Sequence, residues 1–194
     1  MTPASKNTIL INGVGVTGGS TVATQVVRTE GAEGIRIDGT SAMGTMRDGQ
    51  AARFCGRLFL MLSARGFLII DRLELPHPGR VEARFHTYGD VRLLKRGAHI
   101  RGRRESLRLA FAADVPASLH TAVDAPTTPG QSPTCLRWCT DGLQSAVTLA
   151  TLLWPGRGPA SVTLSAEGAR IVAEAKAGTF RRRVVVSRRL RPVK

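Results

Sequence analysis

The densest apolar patterning lies in residues 57–88, RLFLMLSARGFLIIDRLELPHPGRVEARFHTY. Residues 58–62 and 67–75 are nearly continuous in Leu, Ile, Phe and Met, and Ser63-Ala64-Arg65-Gly66 between them reads as a hairpin loop, so two strands follow. Pro76-His77-Pro78-Gly79 then removes backbone donors and supplies a turn. Beyond it Val81, Ala83 and Phe85 alternate with Arg80, Glu82, Arg84 and His86, the period of a strand with one buried face. Two continuous runs leading into an alternating one predict a meander in the middle of an antiparallel sheet, with 67–75 central and Phe67 and Ile69 in the core.

Around this centre the same signals recur at short intervals. Thr8-Ile9-Leu10-Ile11 before Asn12-Gly13 is a short strand ending in a favoured turn dipeptide, and 21–29 and 34–37 are further strands. Gly13-x-Gly15-x-x-Gly18 matches the dinucleotide fingerprint as letters, but the β-prone residues after it offer no helix to complete a βαβ unit. Residues 91–100 and 106–112 read as strands around Arg101-Gly102-Arg103-Arg104, a solvated hairpin tip, and 116–133 has the Pro, Thr and Ser content of a long loop. Strands are expected at 136–139, 146–153, 160–164 and 169–175, the last two flanking the Glu167-Gly168 turn. Residues 179–194 read as a basic strand or tail after a domain spanning 1–178. No capped helix stands out, so the pattern predicts an all-β, two-layer antiparallel β-sandwich.

Composition narrows the partners. In 194 residues, 28 Lys and Arg against 14 Asp and Glu give a net charge of +14, an excess that steers polyanions toward the surface. An Arg-rich surface with no polyanion role fits the same count. Aromatic residues make up 5% of the chain, too few for a base-stacking platform, which sets nucleic acid behind acidic polysaccharide. Cys55, Cys135 and Cys139 are an odd number without zinc-ribbon spacing, so buried free thiols are expected. No run reaches membrane-spanning length and no secretion signal precedes the first strand, so no membrane partner is expected. No serine sits in a G-x-S-x-G elbow, which removes support for a hydrolase triad.

Residues 5–15, SKNTILINGVG, resemble the opening of the C-terminal β-sandwich domain of heparinase II/III-like polysaccharide lyases: His-Asn-Thr, a short apolar strand, then a Gly-containing turn. Asp38-Gly39-Thr40-Ser41-Ala42, the hairpin with Ile70-Asp71-Arg72, Arg84-Phe85-His86 and Thr151-Leu152-Leu153-Trp154-Pro155 follow in the same order, so the resemblance covers about residues 5–175. It implies a supersandwich packed on an α-helical toroid, with a cleft for an anionic polysaccharide such as a glycosaminoglycan or alginate. The implied reaction is β-elimination: neutralising the uronate carboxylate, abstracting the adjacent proton and protonating the leaving oxygen. The toroid supplies most of the catalytic groups in that family, whose members are periplasmic or secreted. This sequence contains no toroid, so the chain is expected to be inactive alone, with a separately encoded toroid as a candidate partner. The alternative is a non-catalytic carbohydrate- or polyanion-binding module.

The resemblance also assigns residues. It places Lys6 and Asn7 at the catalytic cleft and Arg80, Arg84 and His86 against the substrate. It matches Asp38 and His86 to two ligands of a zinc site that the family builds from two His and one Asp. Lys6 stands where the other His belongs; a protonated ammonium cannot bind zinc, so no cofactor is expected, though it can neutralise a uronate. Each residue also has a plain reading: Asp38 in a turn, His86 on an Arg-lined strand, Lys6 near a terminus.

Overall fold

The computed structural model describes residues 7–16, 22–29, 31–43, 45–46, 49–50, 52–62, 65–124 and 132–193. The first strands are β1 (Ile9–Ile11), β2 (Ala23–Thr29), β3 (Ala32–Asp38), β4 (Thr45–Met46) and β5 (Gly49–Gln50), with one short 3-10 turn at Thr40–Ala42. The middle of the chain forms β6 (Phe54–Leu62), β7 (Gly66–Gly79), β8 (Val81–Thr87), β9 (Asp90–Leu94), β10 (Gly97–Arg101) and β11 (Ser106–Ala113). The remainder forms β12 (Ala117–Val123), β13 (Thr134–Thr140), β14 (Gln144–Pro155), β15 (Ala160–Glu167), β16 (Arg170–Ala177) and β17 (Phe180–Ser187).

These strands make the all-β antiparallel sandwich that the periodicity predicts. The main sheet has the order β2-β3-β6-β7-β14-β11-β10-β9, a second has the order β1-β8-β13-β12, and β15-β16-β17 form a third. Between the first two sheets lies a core of Ile69, Leu73, Val81, Ala83, Phe85, Ile100, Leu109, Phe111, Leu136, Trp138 and Leu149, among others. On the opposite face of the main sheet, Leu58, Leu60, Leu68, Ile70 and Leu152 pack against Val162, Ile171, Ala173, Val184 and Val186 of the three-stranded layer. The central strands are therefore covered on both faces, which is why 58–62 and 67–75 read as continuous apolar runs. Each fully buried Leu or Ile here is worth about 1.5–3 kcal/mol.

Five expectations need correction. Pro76-His77-Pro78-Gly79 is not a turn but the last part of β7, which runs through it to Gly79. The meander is broken: β6 and β7 are paired neighbours, but β8 crosses at Arg80 into the opposing sheet, between β1 and β13. Its alternating pattern suits a sheet with only one face packed, and that difference marked the change of layer. Residues 91–100 are two strands, β9 and β10, turned at Lys95 and Arg96. The stretch 116–133 contains β12, which pairs with β13 along its whole length; residues 125–131 of it lie outside the described ones. Phe67 is 37% exposed and leans on Phe59 with ring centroids 5.1 Å apart, whereas Ile69 is buried.

The exposure of Phe67 has a geometric cause. The second sheet covers only part of the large one, and the cross-strand row Val26, Ile35 and Phe59 on β2, β3 and β6 lies open beside Phe67. The Asn12-Gly13 turn has φ of 48° and 82°, and mutual hydrogen bonds between the backbones of Ile11 and Val14 close it as a two-residue hairpin. Gly18 lies outside the described residues.

Candidate functional site

Antiparallel register assembles the site at one end of the four-stranded sheet. On β8 the alternation that turns Val81, Ala83 and Phe85 inward turns Glu82, Arg84 and His86 to the other face. Pairing with β13 sets Cys135 opposite His86 and Arg137 opposite Arg84. Asp124 follows β12, held where its backbone N–H donates to Pro133 O at 3.1 Å. Asn7, just before β1, completes the group: its Oδ1 accepts from the His86 backbone N–H at 2.6 Å.

The His86 ring is held between oxygens on both sides, with Nδ1 3.3 Å from Asn7 Oδ1 and Nε2 2.7 Å from Asp124 Oδ2. Arg137 Nη2 donates to Asp124 Oδ1 at 2.9 Å, and Arg84 Nη1 lies 3.6 Å from Asp124 Oδ2. Glu82 accepts from Arg84 Nε and lies 3.7 Å from Arg137 Nε, closing the network. Partial burial works against the Asp124 charge, but hydrogen bonds from His86 and Arg137 and the fields of Arg137 and Arg84 outweigh it and lower the carboxyl pKa. Burial raises the Cys135 thiol, helped by the Asp124 charge.

His86, Asp124 and Cys135 bring their donor atoms within 4.8 Å of one another, a group that could be considered for a metal. The chemistry does not suit a dication. Two guanidinium groups already neutralise Asp124, and their positive charge beside His86 and Cys135 opposes a dication. Asp38, matched to a zinc ligand by resemblance, has other partners: Oδ1 accepts from Thr40 N and Oγ1 at 3.2 and 2.7 Å, and Oδ2 from Arg36 Nη2 at 3.2 Å. Thr40 Oγ1 in turn accepts from Cys55 N at 3.0 Å, so Asp38 organises the turn after β3. Its pKa is lowered because these bonds and Arg36 outweigh desolvation.

Near Asn7, a cavity of about 140 Å³ is bordered by Thr8, Gly39, Cys55, Arg57 and Asp71. Arg57 and Asp71 face each other across β6 and β7 and form a two-pronged pair, Nε to Oδ1 at 2.6 Å and Nη2 to Oδ2 at 3.2 Å. Arg57 Nη1 also reaches Asn7 O at 3.5 Å, tying the main sheet to the approach of β1. Burial opposes the Arg57 charge, but the Asp71 carboxylate prevails and raises its pKa.

Of the residues picked from sequence, Asn7, Arg84 and His86 share this cluster, and Asp38 has a separate set of partners. Arg80 is exposed, with its backbone paired to Asn12; Lys6 lies outside the described residues. Asp124, Cys135, Arg137, Arg57 and Asp71 were missed. Asp71 did leave a signal, a carboxylate in the middle of an apolar run that has to be paired if buried. Asp124 left none, because its place depends on the register of β12 and β13.

No family model and no curated protein matches the chain. Solved structures do: a heparinase III gene product matches with a TM-score of 0.73 at 11% identity, over 93% of this chain and 29% of that one. Heparan sulfate lyase HepC from Pedobacter heparinus matches with a TM-score of 0.72 at 10% identity, over 93% of this chain and 30% of its own. A further heparinase III matches at 0.68 and 13% identity, again over 93% of this chain and 29% of its own. The chain thus spans about three-tenths of the length of these lyases, and over that length it has their fold.

Proposed function

We propose that the chain is the β-sandwich domain of a heparinase II/III-like polysaccharide lyase, which engages a uronate-containing anionic polysaccharide and needs an α-helical toroid domain for β-elimination. The likeness of fold over 93% of the chain to a heparinase III carries this reading. Charge supports it: +14 on a single small domain favours an anionic polymer. The elimination needs a group that removes the proton beside the carboxylate and one that protonates the leaving oxygen. Both nitrogens of His86 are engaged by Asn7 and Asp124, so in this arrangement the ring braces the sheet end rather than standing open as a base. The chain's share of the work is to form a wall and supply positive charge, and the acid and base come from the toroid.

The same engagement of His86 favours a second reading, a non-catalytic carbohydrate-binding module that works without a toroid. Titration with heparan sulfate and alginate, alongside ultraviolet detection of unsaturated uronate, tests both. Saturable binding without product is expected of the chain alone. Product released by the purified chain would overturn the division of labour, and no binding to any acidic polysaccharide would overturn both readings.

A further inference from the structure

The far end of the main sheet carries a concentration of positive charge remote from the pairs described above. Register places Arg92, His99 and Arg108 in one row across β9, β10 and β11, and Asp90, Arg101 and Ser106 in the next. These side chains point to the face that, further along, packs on the three-stranded layer, because Ala98, Ile100, Leu107 and Leu109 of the same strands face the other core. Arg108 Nε and Nη2 donate to Arg157 O at 3.2 and 2.9 Å, fixing the turn after β14 to this row. The β10–β11 turn adds Arg103 and Arg104, closed by Gly102 N–H donating to Glu105 O at 2.8 Å. Between these elements runs an open groove of about 690 Å³, with Arg101, Arg103, Arg104 and Arg157 on its walls and Tyr88 at one end.

What sets this groove apart is that several of its arginines line one hollow without carboxylate partners among the described residues. Several arginines elsewhere are matched by carboxylates: Arg36 by Asp38, Arg57 by Asp71, Arg72 by Glu74 and Asp114, Arg84 and Arg137 by Glu82 and Asp124, Arg183 by Glu167. Among the described residues, no carboxylate lies within ion-pair distance of Arg92, Arg103, Arg104, Arg108 or Arg157, and Arg101 has only the solvated Asp90 at 3.8 Å. His99 reports the resulting field: desolvation of its ring, then Arg108, Arg157, Arg92 and Arg101, push its pKa down, and its Nε2 has no hydrogen-bond partner. Like charges held together without internal compensation favour an external polyanion, which releases counterions as it binds.

We infer that this groove, lined by Arg101, the β10–β11 turn and Arg157 and adjoined by the Arg92–His99–Arg108 row, binds a sulfated or carboxylated polysaccharide. It rests on the proposed partner class and gives that class a place on the chain. Asp90 and Glu105 sit among the arginines, where their carboxylates can accept hydrogen bonds from sugar hydroxyls. Tyr88, 57% exposed, lines the same groove. The two carboxylates favour a saccharide over a nucleic acid.

The test uses heparin as probe and the triple variant Arg101→Ser, Arg103→Ser, Arg104→Ser, with Arg157→Ser on the opposite wall as a second variant. A control with the same charge loss, Arg181→Ser, Arg188→Ser, Arg191→Ser, removes arginines from β17 and the turn after it. Binding is measured by calorimetry between 50 and 300 mM salt, with melting curves to confirm folding; these conditions are roughly those over which counterion release is resolved. The triple groove variant should weaken heparin binding at least about tenfold and lower the slope of log K against log salt by about 2 to 3, with the control changing affinity less than about twofold. Arg157→Ser should weaken binding in the same direction. Equal losses in groove and control variants would overturn the groove and leave the polysaccharide reading standing. Absence of heparin binding in the wild type would overturn both. Tighter, groove-dependent binding of a DNA duplex at equal salt would overturn the saccharide as occupant.

Discussion

The Arg57–Asp71 pair is the most exacting test of how this sandwich is held together. Asp71 is 2% exposed and the Arg57 side chain 24%, so replacing Asp71 with Asn leaves a guanidinium in a largely dry site without its counter-charge. Breaking a buried pair from one side costs about 3–5 kcal/mol, and the partial wetting of Arg57 reduces this to roughly 2–4 kcal/mol. With a urea m-value of about 2 kcal/mol per molar, a loss near 3 kcal/mol moves the unfolding midpoint down by about 1.5 M. In a domain of this size the same loss lowers Tm by roughly 6–12 °C. Removing both charges as Arg57→Met with Asp71→Leu should recover to within about 1 kcal/mol of the wild type, because the desolvation cost goes with them. Urea titrations of the wild type, Arg57→Met, Asp71→Leu and the double variant give the coupling energy directly. A midpoint for Asp71→Asn within about 0.3 M of the wild type would refute the reasoning, since it would mean that water already reaches the pair.

Three further outcomes follow from the structure. Ile69→Ala should cost about 2–5 kcal/mol and Phe67→Ala only about 0.5–1.5 kcal/mol, since Phe67 leaves 37% of its surface in solvent and Ile69 only 5%; equal midpoint shifts in denaturant would contradict the partial cover of the main sheet. The lowered Asp124 pKa lies below its value in the unfolded chain, so its stabilisation is complete above about pH 4 and is lost as pH falls through the folded value. Asp124→Asn should therefore lower Tm at pH 7 and converge on the wild type in stronger acid; a Tm difference independent of pH would dismiss that linkage. Burial pushes the Cys55 thiol up to about 12 and Cys139 up to about 11, and raises Cys135, so a thiol reagent at neutral pH should react slowly with native protein and with all three cysteines after unfolding. Rapid native labelling of Cys135 would contradict its burial.

The sequence carried the strands better than their grouping. Period and continuity in 58–62, 67–75 and 81–85 marked β6, β7 and β8 and even how many faces of each are covered, because burial acts residue by residue. Which sheet β8 joins depends on a change of direction at Arg80, where the backbone N–H and C=O pair with Asn12, a contact 68 residues distant. The site divides in the same way. His86 could be picked from its own strand, but its neighbours Asp124 and Cys135 come from the end of β12 and from β13, and the first of these strands was hidden in polar, Pro-rich sequence. The basic turn 101–104 looked like a solvated tip because its companions Arg157, Arg92 and Arg108 belong to other strands and turns.

The uncovered row on β2, β3 and β6 bears on how the protein behaves as a colloid. Val26 is 71% exposed, Ile35 46% and Phe59 37%, and β2 forms the outer edge of the main sheet. Two molecules meeting at this edge would bury apolar surface and pair free backbone groups, which is the usual route to edge-on association. What opposes it is mutual repulsion between bodies carrying +14 each. That repulsion reaches about 10 Å at 0.1 M salt and about 3 Å at 1 M, whereas the apolar attraction survives screening. The high salt commonly used to strip polyanions from a basic protein therefore removes the barrier that keeps this one dispersed.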